Sequence, residues 1–411
     1  MAPSNKKVTS VLYVSYDGLM EPLGQSQVWQ YLSGLSEKHQ IVLISYEKAD
    51  DWADQQAREK LIKTVRSKGV IWVPLCYHKR PSAIATAFDI LLGILVAGYL
   101  TLKHRVKIVH ARSYVPSVIA LSLKKVFGLK FVFDMRGFWA DERVDGGLWP
   151  KGSNLYRVAK WFERRFLLSA DRVVSLTQAA VDEMRKFPYL QGRMPTFEVI
   201  TTCADLDLFK PDAPEQSTQK DDRSFTLGYV GAVGVWYLFD ETLQCFKLLQ
   251  QVIPDARLHI LNRGDHAYIR ERLNYHQIDQ EAVRLEVTDH AGVARAMRQM
   301  DAGIFFIKPA YSKMASAPTK LGEFLGCGVP CLGNAGVGDM ASILESERVG
   351  VALGDFSEAA MRDAIARLLQ LAREPGIQQR CRQVALGYFS LEMGVQRYTD
   401  IYCELLREDK A

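Results

Sequence analysis

The stretch Ile304-Phe305-Phe306-Ile307-Lys308-Pro309-Ala310-Tyr311-Ser312-Lys313-Met314-Ala315-Ser316-Ala317-Pro318-Thr319-Lys320-Leu321-Gly322-Glu323-Phe324-Leu325-Gly326-Cys327-Gly328-Val329-Pro330 decides the fold. An apolar strand runs into a polar loop, a helix comes next, and a Gly-Val-Pro turn leads to another strand. Ser316 reads as the N-cap and Pro318 as a first-turn residue, where a missing amide hydrogen leaves nothing unpaired. The amides of Thr319, Lys320 and Leu321 then face outward at the positive end of the helix dipole, a seat for a diphosphate, and Lys313 and Lys320 add cations there. Glu323 lies about one turn beyond Lys320 on the same face, placed to accept two ribose hydroxyls. A phosphate seat beside a ribose clamp reads as a nucleotide site. An ordinary capped helix with a surface Glu–Lys pair accounts for the same residues.

Around this stretch the chain repeats the same rhythm. Short apolar runs at Val8–Ser15, Ile41–Ser45, Val70–Leu75, Lys107–His110, Lys130–Phe133 and Arg172–Ser175 alternate with helical segments. A second series occupies Thr226–Val230, Arg257–Leu261, Val283–Val287, Ala302–Phe306, Val329–Leu332 and Val349–Ala352. Such alternation predicts parallel sheets covered on both faces, so the fold class is α/β, with two doubly wound, Rossmann-like domains. A chain of 411 residues exceeds one ordinary core. The expected divisions are an N-terminal domain over 1–206, a linker over 207–224, a C-terminal domain over 225–388 and a closing helix over 389–411 that returns to the N-terminal domain. The linker is expected because 211–224 has almost nothing apolar to anchor it.

Composition excludes disorder, with 48% hydrophobic and 24% charged residues. A net charge of +5 fits an anionic ligand or membrane surface and does not call for nucleic acid. Seven scattered cysteines suit reduced thiols in a cytoplasmic protein, and Met1–Lys7 lacks the apolar core of a signal peptide.

In doubly wound sheets ligands gather beyond the carboxyl ends of the strands. The loop Gly18–Gln27 lies there, and Gly24 and Gln25 are candidates for approach of a ligand phosphate to the backbone. The segment Asp134-Met135-Arg136-Gly137-Phe138-Trp139-Ala140-Asp141-Glu142 crowds polar and aromatic groups at another strand end. Arg136, Trp139, Asp141 and Glu142 suit a polyhydroxylated substrate, and Asp141 or Glu142 has the chemistry of a general base. Simple pairing of Arg136 with Asp134 or Asp141 is the structural alternative.

Ile84–Leu102 is the longest apolar run, interrupted by Asp89, Gly93 and Gly98 and flanked by Lys79, Arg80, Lys103, His104, Arg105 and Lys107. Its length approaches a membrane span. It falls between two strands of one sheet, however, so a crossover helix is expected, buried or lying on a bilayer surface. Asp205-Leu206-Asp207 has the spacing of a metal site without further ligands nearby. Gly336-Val337-Gly338-Asp339-Met340-Ala341 resembles a dinucleotide fingerprint but sits in the penultimate unit of its domain rather than the first.

Taken together, these segments resemble glycosyltransferases of the GT-B architecture, specifically the large retaining family numbered four. The resemblance rests on Gly18–Gln27, Val106–Ser117, Val199–Pro211, Leu227–Gly231, Ile304–Val329, Gly336–Leu344 and Phe389–Leu406. Its most specific parts are Ala317–Glu323 through Gly328-Val329-Pro330, and Asp205–Pro211. It implies that Glu323 holds the nucleotide ribose and that the preceding helix start, from Ser316 through Leu321, receives the diphosphate. It departs at three places. A second family glutamate is replaced by Ala315, an arginine and a lysine by Ala232 and Tyr237, and a histidine by Arg112, with His110 two residues earlier. The missing charge falls to Lys313, Lys320, Arg263 and Arg136.

The resemblance thus implies a metal-independent, retaining transferase that takes a sugar from a UDP- or GDP-linked donor. The acceptor expected is a hydroxyl of a glycan, lipid-linked, in surface polysaccharide or lipopolysaccharide synthesis at the cytoplasmic face of a membrane. Lys320, Arg136 and Arg112 are the catalytic candidates. His110 joins Arg136, Trp139, Asp141 and Glu142 at the acceptor. A nucleotide-sugar epimerase of the same architecture and a non-catalytic nucleotide- or glycan-binding partner are the alternatives.

Overall fold

The computed structural model describes residues 9–212 and 224–408. The chain divides into two compact units, one running to Ile200 and resuming at Leu391, the other spanning Thr201–Ser390. Most of the expected linker, residues 213–223, and the N-terminal segment read against a signal peptide lie outside the described residues.

The first unit is built on a seven-stranded sheet: β1 (Ser10–Ser15), β2 (Gln40–Glu47), β3 (Ile71–Cys76), β4 (Ile108–Arg112), β5 (Lys130–Asp134), β6 (Arg172–Ser175) and β7 (Phe197–Val199). Every pairing is parallel, in the order β3-β2-β1-β4-β5-β6-β7. β1 and β4 are buried along their whole length, as expected of strands covered on both faces. The strand order reverses between β1 and β4. There the guanidinium of Arg112, at the end of β4, donates to Asp17, just beyond β1, at 3.3 Å.

Four helices of this unit shape its surface and its strand ends: α1 (Ser82–His104), α2 (Tyr114–Phe127), α3 (Trp139–Asp145) and α4 (Asn154–Ser169). α1 is the crossover from β3 to β4, and its buried face consists of Ala85, Asp89, Gly93, Ala97, Leu100 and Thr101. A Cβ on Gly93 would lie 2.2 Å from the Tyr46 hydroxyl and 2.5 Å from Ile119, so only glycine permits this approach. Asp89 is fully buried yet satisfied. It accepts from the Tyr16 hydroxyl at 2.7 Å and pairs with the His78 ring at 2.5 Å. The closing helix Leu391–Glu408 belongs to this unit, where Arg172 bonds Glu404 and Glu408 and Tyr398 and Tyr402 enter the core.

The second unit has a six-stranded parallel sheet: β8 (Thr226–Val230), β9 (Arg257–Leu261), β10 (Val283–Glu286), β11 (Ala302–Ile304), β12 (Cys331–Asn334) and β13 (Gly350–Leu353), ordered β10-β9-β8-β11-β12-β13. Its reversal lies between β8 and β11. Every strand expected from the sequence is present, each end within two residues of its expected place; β7 is the addition. The segment Leu206–Phe209 is fastened by Arg382, whose guanidinium donates to the carbonyls of Phe209 (2.7 Å), Leu206 (2.9 Å) and Gly326 (3.3 Å). Asp205 is engaged by its own turn, accepting the amides of Asp207 and Leu208 at 3.1 Å each.

Replacing Arg382 with Met leaves three carbonyls short of a charged donor. The variant is expected to lose about 2–4 kcal/mol of stability, read as an earlier denaturant midpoint for the second unit. A midpoint unchanged from wild type would show that these bonds are dispensable.

Candidate functional site

The loops at the reversal of the second sheet assemble the candidate site around two helices, α5 (His290–Met297) and α6 (Thr319–Gly326). The start of α6 differs from the sequence expectation. Ser316 closes a tight turn over Tyr311–Ala315, Pro318 is the N-cap, and no side chain caps the helix. Proline fixes the extended entry and has no hydroxyl to offer, so the cap is backbone only. The Leu321 amide donates to the Pro318 carbonyl at 3.1 Å. Of the three amides expected to be free, those of Thr319 and Lys320 alone have no partner among the described residues.

Lys320 points back under the loop that leaves β8. Gly231 there has φ +123°, and a Cβ on it would come within 2.8 Å of the Lys320 Nζ. The loop is held by Asn262, which donates to the Gly231 carbonyl at 2.9 Å. The ammonium lies 4.0 Å from the ring centre of Tyr237, with the rings of Phe305 and Tyr229 at 5.3 and 5.6 Å. It is buried and has no hydrogen-bond partner among the described residues. Burial drives its pKa down to about 7, and the nearby Glu323 carboxylate offsets this only in part. Tyr237, standing where the resemblance has a lysine, therefore presents a ring to a lysine arriving from α6.

Lys313 is the second cation of the site. Its Nζ sits 3.8 Å over the Trp236 ring, and its carbonyl accepts the Gly338 amide at 2.9 Å. Gly336 and Gly338, with φ of +81° and +45°, shape the turn that supports Lys313, which accounts for the fingerprint-like Gly336–Ala341 run. Asn334 locks the adjoining loop by exchanging two 2.9 Å bonds with the Ile307 backbone.

One turn below Lys320, the Glu323 carboxylate lies 3.8 Å from the His290 ring at the start of α5. The bond to Glu323 raises the pKa of His290, against partial desolvation and the repulsion of Arg263. Arg263, expected at the donor, is thus electrostatically part of this neighbourhood. Phe209 closes the other side of His290, its ring centre 5.0 Å away. Neither His290 nor Asn262 stands out in the sequence, because each acts through a partner far away along the chain.

The first unit treats its expected site residues differently. A Cβ on Gly24 would lie 1.9 Å from the Gly18 carbonyl, and the Gln25 side-chain amide donates to the Leu19 carbonyl at 2.5 Å. The glycine thus admits the chain's own backbone at this turn. Asp141, a candidate base, is buried and held at 2.9 Å by both Tyr156 and Lys160. Trp139 is half-buried beside Tyr114 and Trp149, and Glu142 is half-buried on the same helix, α3. His110 has no exposed surface; its ring bonds Tyr402 at 2.6 Å and lies 3.6 Å from Asp134.

Asp134, which the sequence suggests only as a partner for Arg136, is the hub of this cluster. The Tyr398 hydroxyl donates to it at 3.1 Å, Arg136 stands at 3.9 Å and Arg112 at 4.0 Å. Burial alone would raise its pKa, but Arg136, His110 and Arg112 outweigh that and hold it below the usual carboxylate range. Burial pushes His110 down, so it is neutral at physiological pH.

Known proteins share both the first unit's sequence pattern and the two-unit fold. Residues 25–194 match the family described as Glycosyl transferase 4-like domain. No curated protein matches the sequence. Among solved structures, a glycosyltransferase from Rickettsia africae is similar with a TM-score of 0.70 at 15% identity, covering 98% of this chain and 99% of that one. An Anabaena protein in complex with UDP and glucose is similar at 0.63 and 14%, covering 96% and 99%. A lipopolysaccharide outer core galactosyltransferase is similar at 0.62 and 10%, covering 96% and 100%. At such identities the likeness shows the fold, two Rossmann-like units of the GT-B architecture. The chain is glycosyltransferase-like in the sequence of its first unit and in the fold of both.

Proposed function

We propose that the protein is a retaining glycosyltransferase that moves a sugar from a nucleotide-linked donor to a hydroxyl of a lipid-linked glycan in surface polysaccharide synthesis. The observation that carries this reading is the Lys320 ammonium, buried against Gly231 beside the unpartnered amides of Thr319 and Lys320. A multiply charged anion is the ligand that answers an ammonium and two amide donors at the start of one helix, and Glu323 one turn away suits the ribose attached to it. The UDP complexes of the Anabaena protein, on the same fold, support a nucleotide-sugar donor.

In this reading the amides at the start of α6 seat the diphosphate, with Lys313 and Arg263 lining its approach. Lys320 stabilises the charge that grows on the leaving phosphate as the glycosidic bond breaks, without a metal ion. The leaving phosphate accepts the proton of the attacking hydroxyl on the face it departs from, which retains the anomeric configuration. Arg136 and Arg112, at the strand ends of the first unit, are assigned to the acceptor side, with Trp139 as a stacking surface for a sugar ring.

Three measurements test the reading. Lys320→Met is expected to lower turnover by about 100-fold or more, the scale of losing one oxyanion-type contact, while weakening donor binding far less. The same substitution removes a buried, unpaired charge and should raise the thermal midpoint. Turnover within a few-fold of wild type would pass the role to another cation. Glu323→Ala should raise the donor dissociation constant about tenfold, and an unchanged constant in a folded variant would refute the ribose role.

The third measurement is pH dependence. Lys320 has a free-state pKa of about 7 that must rise when an anion pairs with it. Affinity for UDP- or GDP-sugars, whose phosphates do not titrate in this range, is therefore full below that pH. It should fall above that pH, in total by no more than the factor by which Lys320→Met weakens donor binding. Calorimetry of wild type and Lys320→Met across this range would show the dependence in the first and a flat line in the second.

A further inference from the structure

The face of the first unit formed by α1, α2 and α4 carries an unpartnered apolar surface of unusual extent. Right-handed crossovers from β3 to β4, β4 to β5 and β5 to β6 place these three helices on the same side of the sheet, and α2 touches both α1 and α4. The outer face of α1 shows Ile84, Phe88, Leu91, Leu95, Tyr99 and Leu102 to solvent, spaced three or four residues apart along the whole helix, with Leu95 72% exposed. Val126 and Phe127 extend it from the end of α2, and Leu155, Val158 and Trp161 repeat the pattern on α4. A single exposed leucine needs no explanation, but a stripe continued across three neighbouring helices does.

Charge identifies the occupant. The three helices contain two carboxylates, Asp89 and Glu163, and both are fully buried. Asp89 is consumed by Tyr16 and His78, and Glu163 by Tyr114 and Lys160. Exposed Lys103, Lys125, Arg157, Arg164 and Arg165 lie on or between the apolar rows. The outward surface is thus apolar and basic with no exposed acid. A second copy meeting this face through a twofold axis would bring like charges together. A bilayer with anionic headgroups complements both the apolar rows and the basic groups.

We infer that the α1–α2–α4 face docks the protein in-plane on an anionic lipid surface, with the outer side of α1 in the headgroup region. Although Ser82–His104 is long and apolar enough to span a membrane, it lies on the surface instead. Its inner face is pinned to the unit by Asp89 and by the close approach at Gly93. Trp161 and Tyr99 sit where amphipathic rings favour the interface. The inference goes beyond the transferase reading and stands on the first unit alone.

The test is flotation of the full chain, without nucleotide, with vesicles of phosphatidylcholine and of phosphatidylcholine with an equal part of phosphatidylglycerol. Binding is expected to the anionic vesicles and should weaken as salt is raised. K103E/R105E should lower the partition coefficient by at least about 30-fold, the loss of two cations at about 1 kcal/mol each, and L91S/L95S should lower it as well. R362E, on the second unit, should leave it unchanged. Circular dichroism confirms the fold of each variant. Three results would overturn the inference: absence of binding to anionic vesicles, binding indifferent to both double variants, or self-association in sedimentation velocity that L91S/L95S abolishes. Vesicle binding by a chain that takes up no nucleotide sugar would instead sink the transferase reading and leave this one standing.

Discussion

An ammonium group held out of water with no hydrogen-bond partner among the described residues is the constraint around which the second unit's site is built. Lys320 lies in the first turn of α6, where the helix dipole already disfavours a cation, and where the amides of Thr319 and Lys320 have no partner among the described residues. Only Glu323 works in the other direction, and its effect on Lys320 is smaller than that of burial. Such an arrangement is unstable on its own terms and persists because the surroundings enforce it. Phe324 fills the space above Gly303, where a Cβ would clash at 2.9 Å, and Phe389 lies against Gly322 in the same way. Both contacts fix α6 so that Lys320 has nowhere to go but beneath Gly231.

The two sheets thus meet the same topological situation with opposite electrostatics. At the reversal of the first sheet, Arg112 is answered by Asp17, and Arg112, Arg136 and His110 surround Asp134. That cluster is largely compensated within itself, with Tyr398 and Tyr402 from the C-terminal helix bonded to Asp134 and His110. At the reversal of the second sheet the positive groups exceed the negative ones. A polyanion gains most where charge is left uncompensated and desolvated, which is why the diphosphate is assigned to the second unit.

The fold is largely legible in the sequence because parallel strands buried on both faces write continuous apolar runs, and those runs lie where the structure has strands. The details that escape it are local ones set by contacts distant in sequence. Ser316 has the residue type of an N-cap, yet the turn over Tyr311–Ala315 claims it and the cap passes to Pro318. Gly24 reads by residue type as a turn glycine, but the need for it comes from the Gly18 carbonyl packed against it. Asp141 has the chemistry of a base, yet Tyr156 and Lys160 hold it in place. Within the candidate site, Lys320 and Glu323 emerge from helical spacing, whereas His290 and Asn262 come from other strand ends and leave no local signature. The resemblance to a transferase family supplies the expectation of a missing basic pair; the geometry shows an aromatic ring and a lysine from α6 in its place.

Helix α1 shows how an apolar run reveals more than its length. A crossover helix that only covers a sheet turns its large side chains inward and polar ones outward. Here the order is largely inverted: Ala85, Gly93 and Ala97 face inward with Leu100 as the one large apolar residue, while Phe88, Leu91, Leu95, Tyr99 and Leu102 face away. Small residues suffice inside because the helix sits close on Tyr46 and Ile119, and that close seat is what Gly93 makes possible. The large residues outside therefore contribute little to the folded unit. Their apolar area is a standing disadvantage in water, about 25 cal/mol for each Å² left exposed, and it is recovered only against another apolar phase. The same three helices carry exposed Lys103, Lys125, Arg157, Arg164 and Arg165 and no exposed carboxylate, which is the charge that suits the anionic surface inferred above.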